Sequence, residues 1–229
     1  MTRLSATPRS TLTRKKHRAE TDREALYAVL DEGLVCHLGL VLNGSPVVLP
    51  TGYGRDGDTL YLHGSTGAAS LRSAAGGIDV CVTVTLVDGI VYARSLNNHS
   101  MNYRSAVIHG RARQVDAPEA KMHGLRVLSE HLSPGSWEHA RAVNAKEFAS
   151  VSVIALDLTE ASVKTRAGAP ADEPEDIATG TAWAGVLPVH TGFGSPIPAG
   201  YVPAGVPVPA HVAERGTGPS GTGPATGSR

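Results

Sequence analysis

The sequence predicts a mainly β protein with short helices, folded as a closed or nearly closed antiparallel barrel. Seven strand-like runs are spread over residues 34–158, and turn signals at Asn43-Gly44, Asp56-Gly57-Asp58 and Asp88-Gly89 separate several of them. Helical apolar spacing is confined to a few short stretches. A barrel follows because closure removes the edges that sequential antiparallel strands would otherwise expose. The same pattern argues against a doubly wound sheet.

Residues 1–20 are polar and basic around Arg14-Lys15-Lys16-His17-Arg18 and carry no apolar period, so a flexible arm is expected there. The first helix is expected to start at Thr21, whose hydroxyl caps free amides while Glu24 reciprocates, and to stop at Gly33. Leu26, Val29 and Leu30 share its buried face. Residues 34–42 read as a strand, turned at Asn43-Gly44 into a second over 46–53, with a third over 59–63. Residues 64–72 form a small-residue turn entering a short helix. Two strands, 79–87 and 90–96, are read across Asp88-Gly89. Another covers 105–115, where Gly110 marks a bulge or a close backbone approach. Pro118 opens a helix carrying Met122, Leu125, Leu128 and Leu132 at helical spacing, and 148–158 closes the barrel. An acidic excursion over 167–181 leads to the apolar run 183–189 and then to a stretch rich in Pro, Gly and Ala. The organisation expected is an arm over 1–20, one domain over 21–195 and a largely disordered tail over 196–229.

Lysine and arginine number 21, aspartate and glutamate 21, so no net field steers the chain toward a polyanion and no nucleic-acid partner is expected. Cys36 and Cys81 stand in apolar runs without CxxC spacing and read as reduced thiols of a cytoplasmic protein. No apolar run is long enough to span a membrane, and the basic N-terminus lacks a secretory apolar segment.

The stretch Leu96-Asn97-Asn98-His99-Ser100-Met101-Asn102-Tyr103-Arg104-Ser105 gathers an aromatic ring, cationic side chains, amides and hydroxyls. Such a cluster can bind an anionic, planar ligand. The turn from Gly64 to Ser70 hands a strand to a helix, so its free amides can hold a phosphate, supplemented by Ser65, Thr66, Ser70 and Arg72. Neither GxGxxG nor GxxxxGK[ST] is present. His63 and His99 lack a third ligand at a suitable interval, so no metal site is expected, and His37 reads as structural. No serine sits in a nucleophile elbow, which disfavours covalent hydrolysis.

The ordered segments Val48-Leu49-Pro50-Thr51-Gly52-Tyr53, Leu60-Tyr61-Leu62-His63-Gly64-Ser65, residues 80–89, His99-Ser100-Met101-Asn102-Tyr103-Arg104-Ser105 and Gly110-Arg111-Ala112 resemble the pyridoxamine 5'-phosphate oxidase-like, flavin-nucleotide-binding family, nearest to its nitroimidazole-resistance branch. The resemblance covers roughly residues 12–190. It implies a split β-barrel of the FMN-binding type, a homodimer, and FMN held in clefts at the subunit interface. Carried to matching positions, Pro50, Thr51, Gly52 and Tyr53 would line the flavin ring through backbone groups, and His63, Gly64 and Ser65 would lie at the ribityl and phosphate side. Thr83 and Thr85 would edge the cleft, Asn102, Tyr103 and Arg104 would reach in, and Trp183 would close it. His99 is the catalytic candidate facing a small-molecule substrate. Relatives often place a lysine where this chain has Ser70, so Arg72 is expected to supply the missing cation. The activity implied is an FMN-dependent oxidoreductase of unassigned substrate. The alternatives are a flavin-binding storage, sensing or protective module without turnover, and a deazaflavin- or haem-using relative.

Overall fold

The computed structural model describes residues 3–4, 7–65 and 76–217. They form a mixed β/α fold around a ten-stranded sheet whose ladders are antiparallel. Helix α1 (Arg23–Glu32) is capped by Asp22 rather than Thr21: the Asp22 carboxylate accepts from the Glu24 amide at 3.1 Å. It ends at Gly33 as expected, where the Gly33 amide donates to Val29 O at 3.1 Å. Strands β2 (Cys36–Leu42) and β3 (Ser45–Thr51) flank the Asn43-Gly44 turn. Both turn residues lie at positive φ, 51° and 78°, the requirement of a tight type I′ hairpin that Asn-Gly meets at low cost. The short β4 (Tyr53–Asp56) and β5 (Thr59–Ser65) follow.

The path through the sheet is β3-β2-β6-β7-β8-β5-β4, with β6 spanning Ile78–Tyr92, β7 spanning Ser100–Gln114 and β8 spanning Val151–Asp157. It has two ends, so the sheet does not close into the expected split β-barrel. The end strands β3 and β4 follow one another through Gly52, yet no ladder pairs them among the described residues. Proline explains one edge: Pro46 and Pro50 in β3 have no amide hydrogen to donate. Shortness explains the other, since β4 has four residues.

Two further expectations are corrected. Residues 79–96 do not form two strands; β6 runs unbroken through Asp88-Gly89. The glycine serves close approach rather than a turn, because β10 (Gly185–Pro188) pairs across it and an added Cβ would stand 3.0 Å from Val186 Cγ1. The strand expected over 105–115 starts earlier: a 3-10 turn, Leu96–Asn98, gives way to β7 already at Ser100. Strand β9 (Ala161–Arg166) was not foreseen; it pairs with β7 and with β1 (Ala19–Glu20). The short helix expected after residue 64 falls largely on 66–75, outside the described residues.

The core is the apolar side of this sheet closed by α1. Leu26, Val29 and Leu30 pack with Leu38, Leu40, Tyr53, Leu60, Leu62, Val82, Val84, Ile108, Ile154 and Leu156 in one buried cluster. Alternating inward positions on each strand supply it, as the period-2 pattern requires. Helix α2 (Pro118–Leu132) lies close to the backbone of β4: a Cβ on Gly54 would meet Val127 O at 2.7 Å. Reciprocally, a Cβ on Gly124 of α2 would meet Val153 Cγ1 at 2.9 Å.

The chain divides into two compact units. The first holds the described residues up to Leu86 together with Tyr103–Arg166, and contains the core above. The second consists of Val87–Asn102 and the described residues from Ala167 onward. Among its described residues the buried apolar side chains are Val91 and Ala93, and polar contacts tie its segments together. The Arg94 guanidinium donates to Asp176 O at 3.2 Å and Ile177 O at 2.8 Å, and also to Gly180 O, closing the C-terminal end of the helix Pro174–Thr179. The Asp172 carboxylate accepts from the Arg94 amide at 2.9 Å.

Candidate functional site

In the first unit, the antiparallel register aligns predicted site residues on the sheet face opposite the core. His37 on β2 stands between Pro50 on β3 and Thr83 on β6. Two residues along β2, Gly39 stands between Val48 and Cys81. The first row carries two polar side chains, His37 and Thr83, beside Pro50, and the second is apolar with a bare centre. Val48 is 64% exposed and His37 is exposed, while Gly39 has no side chain to raise the surface. The result is a shelf on which a flat ring can rest, with hydrogen-bonding groups along one margin. Thr85 is exposed farther along β6. His37, read from the sequence as structural, lies in the middle of the first row. The signal was present: Cys36 and Leu38 are apolar and inward, so period 2 turns His37 outward.

Gly52 connects this face to β5. The β4–β5 ladder begins at Tyr53↔Leu62, the residues that adjoin Gly52 and His63 in sequence. A Cβ on Gly52 would meet no atom of the described residues within 4 Å. The Tyr53 ring points into the core, 1% exposed, and its hydroxyl donates to Leu30 O at 2.6 Å, so only its backbone is left for a ligand. Burial pushes the Tyr53 hydroxyl pKa upward, keeping it a neutral donor. His63 is exposed at the end of β5, with Gly64 and Ser65 paired to Ser152 and Val151. Ser70 and Arg72 lie outside the described residues.

Tyr103 and Arg104 stand on β7 opposite Arg166 and Thr165. The Arg104 guanidinium is engaged by both oxygens of Glu32, with Nη2 at 2.8 Å from Oε1. Both cysteines are free; burial pushes the Cys36 thiol up to about 12, which makes it an inert core group.

The second unit holds Asn102, His99 and Trp183. Asn102 is buried and its amide donates to Gly168 O at 3.2 Å. His99 follows the 3-10 turn and closes it, its amide donating to Leu96 O at 3.4 Å. Its Nδ1 lies 3.3 Å from the Ala93 amide and 3.2 Å from Ser95 O. Tyr92 links two rings, at 5.9 Å from His99 and 5.9 Å from Trp183. Trp183 is 68% exposed. Most of the large apolar side chains exposed among the described residues belong to this unit, including Leu187, Phe193, Ile197 and Tyr201. No group of three or more His, Cys, Asp or Glu side chains that could hold a metal ion occurs among the described residues. No helix there is long and apolar enough to cross a membrane.

The family model for pyridoxamine 5'-phosphate oxidase matches residues 22–165. The chain belongs to that family. Among solved structures, it is similar to flavocytochrome Anf3 from Azotobacter vinelandii, with 37% identity over 91% of this chain and 97% of the other and a TM-score of 0.86. It is also similar to an FAD and haem binding protein from Mycobacterium smegmatis, with 40% identity over 87% of this chain and 97% of the other and a TM-score of 0.83. A candidate 5-nitroimidazole antibiotic resistance protein from Bacteroides thetaiotaomicron is 23% identical over 64% of this chain and 85% of its own, with a TM-score of 0.56; it shares the fold. No curated protein matches the chain.

These likenesses correct the cofactor expectation. The relative at 40% identity is described as binding FAD and haem, which overturns FMN as the flavin form.

Proposed function

We propose that this protein is a flavocytochrome that holds FAD and haem on one chain and passes electrons between a small-molecule donor or acceptor and these groups. The observation that carries the reading is the extent of the likeness. A match over 91% of the chain cannot be contained in residues 22–165, so it takes in much of the remainder, where the second unit has its long C-terminal part. The family match over residues 22–165 needs none of the second unit's C-terminal part.

The residues fit both groups. For the flavin, the shelf at Gly39, flanked by Val48 and Cys81, supplies a flat apolar floor, and His37 and Thr83 supply a polar margin beside Pro50. Gly52 and His63 adjoin the Tyr53↔Leu62 pair, a place that suits a ribityl chain and its diphosphate. Thr85, Tyr103 and Arg104 lie on the neighbouring strands β6 and β7. For the haem, the second unit carries most of the large apolar side chains exposed among the described residues, and a flat apolar macrocycle is a group that would cover such side chains. Bound flavin supplies hydride and single-electron transfer, and bound haem supplies single-electron exchange at iron. The chain's own groups would orient the rings and exclude water. The nitroimidazole-resistance relationship adds no activity to this reading, because at 23% identity it stands for the fold.

The test is an absorption spectrum of the freshly purified chain, followed by chromatography of the released flavin and titration with haemin. Flavin bands that elute as FAD, with a Soret band after haemin uptake, support the proposal. A chain that takes up neither FAD nor haemin overturns it. Uptake of FAD alone reduces it to a flavin-binding protein.

A further inference from the structure

We infer that the first unit carries a further ligand site, a cavity between the N-terminal arm and strands β1 and β9 that takes a free apolar amino acid of valine or leucine size. The cavity measures about 210 Å³. Its apolar lining comes from two walls: Leu4 and Leu12 on the arm, and Ala161 and Val163 on β9. Ala161 and Val163 are buried, and Leu4 packs against the core cluster. The arm is tied down on both sides of this space. The Leu4 amide donates to Thr21 O at 2.9 Å, and the Arg9 guanidinium donates to Glu160 just before β9, with Nε 3.1 Å from Oε1. Within the arm, Ser10 is buried and its hydroxyl accepts from the Thr7 amide at 2.9 Å.

Two opposite charges line this cavity without meeting. Lys16 opens the 3-10 helix Lys16–Arg18, and Glu20 stands on β1 opposite Val163. Both are exposed, and neither joins an ion pair with the other or with any described residue. An ammonium and a carboxylate held apart at the rim of an apolar cavity are complementary to a ligand that brings one charge of each sign. A free α-amino acid does so: its carboxylate meets Lys16, its ammonium meets Glu20, and its side chain enters between Leu4, Leu12 and Val163. A plain carboxylate or a plain amine would satisfy one rim group and be repelled by the other.

Volume sets the side chain. An apolar cavity of about 150 Å³ holds a benzene ring, so the space here takes roughly eight or nine non-hydrogen atoms, the size of valine or leucine. Glycine would leave the apolar walls uncovered. Of the basic run 14–18, Lys16 is the member that lines the cavity, which gives part of that run a task. The site shares no residue with the flavin shelf on β2, β3 and β6, so the inference does not depend on the flavocytochrome reading.

The experiment is a heteronuclear NMR titration of the isotope-labelled full chain with L-leucine, with 4-methylpentanoate, which lacks the ammonium, and with 3-methylbutylamine, which lacks the carboxylate. L-leucine should give saturating shifts concentrated at Leu4, Lys16, Glu20 and Val163, and each analogue should bind about tenfold more weakly. Lys16→Gln should lose about tenfold in affinity for leucine and nothing for the amine, and Glu20→Gln should lose about tenfold for leucine while gaining for the carboxylate. Both side chains are exposed, so the variants should keep the wild-type fold, and the analogue series tests the same two charges without any substitution. No saturating shift with L-leucine up to about 10 mM overturns the site. Saturating shifts confined to another part of the chain overturn its location. An analogue that binds as tightly as leucine, or wild-type leucine affinity in both variants, overturns the pairing of the two charges with one ligand.

Discussion

Replacing Arg94 with methionine should loosen the second unit while leaving the first intact. One guanidinium nitrogen, Nη1, serves the carbonyls of Asp176, Ile177 and Gly180. That nitrogen carries two hydrogens, so three acceptors share two bonds. A hydrogen bond to a charged group contributes about 1.5–3 kcal/mol net, and two of them give an upper limit of about 3–6 kcal/mol. Arg94 is half-buried and the helix Pro174–Thr179 lies at the surface, so water replaces much of what methionine removes. About 1–2 kcal/mol should remain, which is about a 5–30-fold change in the opening equilibrium. Hydrogen exchange with peptide-level mass spectrometry reads this directly: peptides covering 174–182 should exchange about 5–30-fold faster, with those of β5 and β8 unchanged. Equal exchange in both proteins would refute the capping argument. A uniform increase across β5, β8 and the helix would show that Arg94 supports the whole chain rather than this unit. Arg94→Lys should fall between, since a point charge lacks the planar fork.

Tyr53→Phe should cost about 1–2 kcal/mol in urea unfolding, because it leaves the Leu30 carbonyl without its buried donor; bound flavin should be unchanged, and loss of flavin would place the hydroxyl in the site instead. Gly39→Leu should abolish flavin uptake by filling the shelf between Val48 and Cys81, with some loss of melting temperature because the new Cβ stands 3.3 Å from Cys81 O; undiminished flavin content would move the ring elsewhere. Gly54→Val should destabilise by about 3 kcal/mol or more, since the new side chain meets Val127 O where α2 lies against β4; an unchanged urea midpoint would show that α2 shifts freely. The Glu160 carboxyl is held at about 2, below its ordinary 4.5, first by the Arg9 guanidinium and next by the Thr7 hydroxyl. Its depressed pKa means that the contact contributes above the ordinary value and is lost as pH falls through about 2. Proteolysis by an acid-active protease should therefore cut the segment around Arg9 faster at the acid end of that window, and Glu160→Gln should remove the pH dependence.

Some of the site was legible before the fold. The strand runs, the Asn43-Gly44 hairpin and the inward face of α1 follow from local chemistry, since positive φ favours asparagine and glycine and a helix has one apolar stripe. The motif segments also led to the correct family, matched over residues 22–165. His37 faces outward, as alternation with Cys36 and Leu38 marks in the sequence. Asp88-Gly89 was misread because a glycine needed for close approach and a glycine needed for a turn look alike in sequence; only the pairing of β10 across it distinguishes them.

By itself, then, the sequence determined the short-range features: which residues alternate, where the chain turns, which helix face is apolar and which family motifs occur in order. The tertiary structure decided the open sheet, because whether β3 and β4 pair depends on partners at opposite ends of a seven-strand path rather than on either strand. It also decided the grouping of His37 with Pro50 and Thr83, and the isolation of Arg94, His99 and Trp183 in a unit with little core of its own. Each of these is a relation between residues far apart in the chain, fixed by register and packing that no local propensity encodes.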